Sequence, residues 1–283
     1  MLWHKTYVLQ PSKPWIVFIH GAGGSSTIWH PQLRFFRNQC NVLLLDLRGH
    51  GKTINKALKS VKSYSFDLLI EDINEVLVHQ EISRAHFVGV SLGTILIREF
   101  ADQFSYKVIS ATYVGAITQL DFRSRILIRT GHSLKYIIPF LTLYKLFAWI
   151  IMPGKAHFEA RALFIQQASQ ISQDEFLRWF DLTHSVSLIL SKFNVLHPSI
   201  PSLFVMGEKD HLFLGHVKKL PQLNSLAELV VIEDCGHVCN VEKPDHFNEN
   251  TLAFIKRVHN LLTKSSDRRF SISEPNEALQ RDI

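Results

Sequence analysis

Short apolar runs bounded by turn residues recur toward both ends of this chain, with stretches of helical periodicity between them. The runs at 15–20, 41–47, 85–90, 109–116, 202–206 and 228–233 are rich in Val, Ile, Leu and Phe. They lack strict polar alternation, which predicts strands buried on both faces. Lys5 to Leu9 adds a short first strand. Amphipathic helix patterns occupy 26–38, 66–80, 92–104, 214–222 and 244–263. Strands alternating with helices predict an α/β fold built on a mostly parallel twisted sheet flanked by helices.

The alternation stops at Ala116 and resumes near Pro201. Residues 118–200 keep helical periodicity and show few strand signals, so they predict a helical cap inserted into a core formed by 1–117 and 201–264. Leu134 to Met152 is the most apolar part of the cap, yet Lys135, Lys145 and Pro139 interrupt it. A spanning helix needs about 20 consecutive apolar residues, which this stretch does not offer. It is expected to form the cap's core and to roof an apolar pocket, with Phe147 and Trp149 as candidate lining residues; an interfacial helix is the other reading. Residues 265–283 are polar, carry turn residues and predict a mobile tail.

Composition narrows the class. Of the 283 residues, 46% are hydrophobic and 20% charged, the balance of a folded globular protein. The three cysteines, Cys40, Cys235 and Cys239, form no disulfide framework and fit a reducing compartment. The first residues lack an apolar signal region, and a cytoplasmic location is expected. The net charge is +6, and 118–200 alone hold nine Lys or Arg against five acids. Basic clusters interleaved with aromatic platforms, or a known nucleic-acid module, are missing, so no nucleic-acid partner is expected. The basic excess in the cap is either a solvated surface or a weak attraction to anionic membrane or substrate.

Candidate chemistry sits where strands end. Ala85 to Val88 runs into Gly89-Val90-Ser91-Leu92-Gly93, and a helical pattern follows at once. Small residues on either side let the chain reverse sharply and lift the Ser91 hydroxyl clear, at a helix N-terminus that favours developing negative charge. A plain N-cap serine is the bland alternative. His20-Gly21-Ala22-Gly23-Gly24 follows the second strand, and such a turn can present backbone N–H groups to an oxyanion. Glu208, Asp210 and Asp234 lie just beyond two late strands, and His237 follows the last one. Any of the three acids could orient His237. Cys235 and Cys239 flank that histidine as C-x-H-x-C, but no second ligand pair completes a zinc site, so no metal is expected. His20 lies too early in the fold to be the base and reads as structural, and Trp29 belongs either to the pocket mouth or to the core.

The order Ser91, acid, His237, together with these turns, resembles the α/β-hydrolases with a helical cap. The likeness extends over residues 14–263 and includes Asp46-Leu47-Arg48-Gly49-His50-Gly51 and the Glu242-Lys243-Pro244 loop. Lys52-Thr53 departs from the commoner serine after that glycine, in a loop that carries no chemistry. Gly207-Glu208-Lys209-Asp210 resembles the family's acid loop, which implies Asp210 as the third triad member. The resemblance also implies an oxyanion hole from the Leu92 and Ala22 amides, with Gly23 as the alternative to Ala22. The activity it implies is a cofactor-free serine hydrolase that cleaves an ester-like bond of a small or medium apolar substrate. C–C bond, thioester and lactone hydrolysis use the same triad, and a ligand-sensing role or a membrane-associated lipase-like role are the competing classes.

Overall fold

A computed structural model of the chain describes residues 1–55, 58, 61–154, 157–195, 200–220 and 224–272. Seven strands form one sheet: β1 (His4–Tyr7), β2 (Trp15–Ile19), β3 (Asn41–Leu45), β4 (Ala85–Val90), β5 (Val108–Val114), β6 (Ser202–Gly207) and β7 (Ala227–Ile232). Their order is β1-β3-β2-β4-β5-β6-β7, and β1 alone runs antiparallel, pairing Tyr7 with Val42 at the edge. The remaining pairs are parallel.

Period-two alternation sorts the strand side chains into two apolar layers. Val17, Ile19, Leu43, Leu45 and Phe87 pack against helices α2 (Phe66–His79) and α3 (Leu92–Gln103). Ile16, Phe18, Val42, Leu44 and Val88 pack against α1 (His30–Phe36) and the last helix, Pro244–Ile272. Trp29 belongs to this second layer: it is fully buried against Phe18 and Phe247, so the core reading holds and the pocket-mouth reading does not.

The side on which successive strands are added reverses between β2 and β4. From β2 the chain moves outward to β3, then returns to place β4 on the other side. Open α/β sheets bind ligands in the crevice beyond the carboxyl ends of strands at such a switch point. The glycine turn after β2 and Ser91 after β4 both fall there.

Between β5 and β6 the described residues hold five helices: α4 (Phe122–Leu134), α5 (Phe140–Ile151), α6 (Phe158–Ala168), α7 (Gln173–Asp181) and α8 (Thr183–Val195). Several bonds tie this segment to the sheet. Trp179 Nε1 donates to Arg48 O at 2.9 Å, Gln167 Nε2 to Thr27 Oγ1 at 2.8 Å, and Tyr64 hydroxyl donates to Glu175. Two expected boundaries shift. The helix expected at 26–38 begins as a 3₁₀ turn at Ser26–Trp29 capped by Ser25, with Pro31 opening α1. The last helix continues to Ile272, into the segment expected as a tail, and 273–283 lie outside the described residues. No helix among the described residues is long and apolar enough to cross a membrane.

Candidate active site

Ser91 occupies a backbone conformation with φ 54° and ψ −119°, which a non-glycine residue adopts only when its surroundings enforce it. They do so from both sides. The Ser91 amide donates to Val114 O of β5 at 2.9 Å, and its carbonyl accepts the Thr94 amide at 2.9 Å and the Thr94 hydroxyl at 2.6 Å. Gly93 completes the turn. A Cβ there would stand 2.6 Å from the Ile19 carbonyl, so only glycine lets α3 pack this close to β2.

His237 lies in the loop after β7. Its Nδ1 donates to Asp210 Oδ2 at 2.8 Å, and both side chains are buried. Asp210 Oδ1 accepts the Phe213 amide at 3.2 Å, which fixes the carboxylate. The opposite ring nitrogen, Nε2, is buried and makes no hydrogen bond to any described atom, Ser91 Oγ included. Ser91 and His237 line the same cavity. Such hydrogen bonds are often open in ligand-free enzymes and tighten around substrate.

The two rival acids lie elsewhere. Glu208 is exposed and accepts the Asp234 amide, while Asp234 is exposed and paired with Lys209, whose charge holds its carboxyl below the usual range. Neither carboxylate is bonded to His237 among the described contacts, whereas Asp210 is.

The turn after β2 is held by two buried histidines. His20 Nδ1 donates to Gly21 O at 2.8 Å, and its Nε2 accepts the Leu47 amide at 2.9 Å. His50 Nδ1 donates to Arg48 O at 2.9 Å, and its Nε2 accepts the Gly23 amide at 2.9 Å. Each ring therefore serves as one donor and one acceptor, the neutral form. Burial pulls His20 down to about 4 and, aided by the neighbouring His20 ring, His50 down to about 3. The Gly23 amide is thus committed to His50. Ala22 and Leu92 both border the cavity, and Leu92 is the first residue of α3, where amides lack helical partners. Ser91, His237, Ala22 and Leu92 border one space, and Asp210 stands behind the His237 ring.

That space has a volume of about 250 Å³. Among the described residues its walls carry no Lys, Arg, Asp or Glu; Ser91, His237, His50, Tyr144, Ser124, Thr183 and Trp179 bring the polar groups. The cap supplies most of the rest, including Phe147 and Ile151 of α5 and Phe176 and Phe180 of α7. Tyr144 donates its hydroxyl to Ala22 O at 3.1 Å, and burial raises that phenol, so it stays a donor. Trp149 does not reach the cavity. It is 53% exposed on the outer side of α5, with the Arg161 guanidinium 3.8 Å above its ring. The expectation for Phe147 therefore survives, and that for Trp149 is corrected by the helical period, which turns position 149 away from the face carrying 144, 147, 148 and 151.

Several supports escaped the sequence reading. Gly115, at the end of β5 with φ 53°, abuts His237: a Cβ would lie 2.2 Å from the His237 carbonyl and 3.0 Å from Nδ1. Glu242 Oε2 accepts the Gly236 amide at 2.7 Å and pairs with His157 of the cap at 2.8 Å, which anchors the loop carrying His237. The Glu242-Lys243-Pro244 motif was the available signal for this last contact. Nothing local marked Gly115 or His157.

Metal-ligating arrangements are sparse. Cys235 and Cys239 are buried thiols, and the Cys235 sulfur together with burial holds Cys239 well above the usual thiol range, unlike a metal thiolate. Among the described residues, His132, Asp181 and His184 bring ligand atoms within 4.8 Å of one another. Lys135 already pairs with Asp181, His132 Nε2 is bonded to Thr183 Oγ1 at 2.8 Å, and the two imidazoles stack with centroids 3.8 Å apart.

Residues 16–249 match the family described as "Alpha/beta hydrolase family". A 3-oxoadipate enol-lactonase of Acinetobacter baylyi is 23% identical over 88% of this chain and 91% of its own length. The dihydrolipoyllysine-residue acetyltransferase component of an acetoin cleaving system from Pseudomonas putida is 26% identical over 86% of this chain, and the match spans 63% of that relative's length. Among solved structures, a protein from work on carboxylesterases of Nitrososphaera gargenis superposes with a TM-score of 0.73 at 19% identity, covering 91% of this chain and 95% of that one.

Proposed function

Because this chain belongs to the alpha/beta hydrolase family, we propose that it is a serine hydrolase that cleaves an ester-like bond of a small or medium, neutral, apolar acyl substrate through an acyl-enzyme on Ser91. The observation that carries this reading is the state of His237. One ring nitrogen is held by a buried carboxylate, and the other is bare at the cavity that Ser91 also lines.

In the reaction, Ser91 Oγ attacks the carbonyl carbon while His237 Nε2 takes the hydroxyl proton. Asp210 keeps the proton of the ring on Nδ1 and stabilises the imidazolium. The tetrahedral oxyanion accepts hydrogen bonds from the Leu92 and Ala22 amides. Collapse expels the alcohol, which receives the proton from His237. A water molecule then gives a proton to Nε2 and attacks the acyl carbon, and on collapse Nε2 returns that proton to Ser91 Oγ as the acid departs.

Substrate class follows from the walls. A carboxylate placed among the Phe, Ile and Leu side chains of the cavity would lose hydration with no cation to offset it. Neutral acyl groups meet no such penalty. A lactone is a cyclic ester and fits the same chemistry, and the enol-lactonase relative supports including it.

The test is a panel of p-nitrophenyl esters, lactones and thioesters with wild type and Ser91→Ala, alongside labelling by a fluorophosphonate. Turnover and labelling that both vanish in the mutant support the proposal. A wild type that neither turns over any panel member nor reacts with the probe would favour the ligand-sensing class instead.

A further inference from the structure

Helices α4 and α5 are adjacent, since Gly131 of α4 lies against the Phe147 ring of α5. Each turns one face to the cavity: Ser124, Leu127 and Ile128 from α4, Phe147 and Ile151 from α5. The faces turned away from the cavity are exposed, with Phe122 and Ile126 on α4, Tyr136 and Ile137 in the turn, and Leu146 and Trp149 three positions apart on α5. These faces are unusually apolar for surface facing water. Phe122 is 76% exposed, Tyr136 74%, Ile137 77%, Leu146 47% and Trp149 53%. Isolated exposed apolar residues need no explanation, but contiguous ones do.

Along α4 and α5 themselves the charge is basic, although Lys135 is buried against Asp181 of α7 and Asp121 caps α4. From Asp121 to Glu159 the sequence contains no acid between those two residues, while Arg123, Arg125, Arg129, Lys135, Lys145 and Lys155 fall inside it. Arg125, Arg129 and Lys145 are exposed on the same outer faces as the apolar side chains. Apolar residues mixed with an excess of cations match the requirements of an interfacial helix on an anionic bilayer. A protein partner of ordinary composition would present acids and cations together and would not call for so basic a face.

We propose that the outer face of α4 and α5, with the turn at Tyr136 and Ile137, docks on an anionic phospholipid surface. Phe122, Ile137, Leu146 and Trp149 enter the headgroup boundary, while Arg125, Arg129 and Lys145 meet lipid phosphates. The docking is peripheral, because no described helix can span a bilayer. On the reading given above, acyl substrate dissolved in that bilayer lies one helix thickness from the pocket, since α5 separates the two.

The test is co-sedimentation of the full chain with vesicles of phosphatidylcholine alone and of phosphatidylcholine with phosphatidylglycerol, at low and high salt. Binding is read without turnover, so its failure is distinct from failure of the hydrolase reading. Wild type should pellet with the anionic vesicles at low salt, with partitioning reduced on the order of tenfold by high salt or by neutral lipid. Leu146→Glu/Trp149→Glu should lose partitioning by at least about tenfold, and Arg129→Glu/Lys145→Glu, which exposes no new apolar surface, should do the same. Hydrolysis of a soluble short ester and the melting temperature check that both variants fold. Equal pelleting with neutral and anionic vesicles, or variants that bind like wild type, would overturn the proposal. So would a concentration-dependent dimer abolished by Leu146→Glu/Trp149→Glu, which would give this face to a second copy of the chain.

Discussion

The amide of Gly23 donates its hydrogen to Nε2 of His50 at 2.9 Å. That bond requires an unprotonated His50, and it fixes the turn after β2. The same dependence holds at His20, whose Nε2 accepts the Leu47 amide.

These buried neutral histidines make stability fall in mild acid. The folded-state values lie at about 4 for His20, about 3 for His50 and about 3 for His86, against 6.5 for an unperturbed ring. Each is depressed on folding, so below 6.5 the unfolded chain binds the proton first and stability drops as pH falls. Between pH 6.5 and 4 each ring contributes a slope of about 1.4 kcal/mol per pH unit. Thermal melts at pH 7, 6 and 5 should show a falling melting temperature. A flat profile would mean that these rings accept protons in the folded state.

Replacing Ser91 with alanine should reduce ester turnover by about 10⁴- to 10⁶-fold and leave folding intact. The backbone should keep its strained conformation, because alanine retains the Cβ and the hydroxyl is not what holds φ at 54°. Activity-based labelling and a melting curve on one preparation check both halves. A labelled mutant would point to another nucleophile.

Asp210→Asn should cost about 10⁴-fold in kcat by presenting the wrong tautomer of His237. Glu208→Gln and Asp234→Asn alter exposed groups and should keep kcat within about threefold of wild type. Steady-state kinetics of the three variants decides the acid. A Glu208 variant more damaged than the Asp210 variant would reassign it.

Acyl-chain preference should rise with length until the cavity fills. Each buried methylene is worth about 0.8 kcal/mol, or roughly fourfold in kcat/KM. Phe147→Ala should move the optimum to longer chains, because it enlarges the roof. Trp149→Ala should leave the optimum in place, because that ring faces outward. A series from acetate to laurate measures both. If Trp149→Ala shifts the optimum and Phe147→Ala does not, the orientation of α5 is wrong.

The legible parts of this fold were those encoded locally. Buried strands appear as runs such as Trp15–Ile19, and their carboxyl ends carry the turns that bear Ser91, Asp210 and His237. Position along the strands left Glu208, Asp210 and Asp234 open; the family resemblance pointed to Asp210, and that carboxylate is the one bonded to His237. The resemblance likewise put Ala22 ahead of Gly23, whose amide is bonded to His50. Gly115 and His157 were illegible for a stronger reason: each matters through one neighbour more than 70 positions away. Trp149 misled because apolar density does not reveal which side of a helix faces inward.

The Arg48 carbonyl accepts from His50 Nδ1 on one lone pair and from Trp179 Nε1 of α7 on the other. One oxygen atom therefore serves both the turn after β2 and helix α7. If α7 lifts to admit substrate, it gives up its share of that oxygen and the packing of Trp179 on the His50 ring, whose centroids lie 4.8 Å apart. The turn is then least constrained while the entrance is widest. Movement of α7 and the hold on the turn after β2 are thereby coupled through a single carbonyl oxygen.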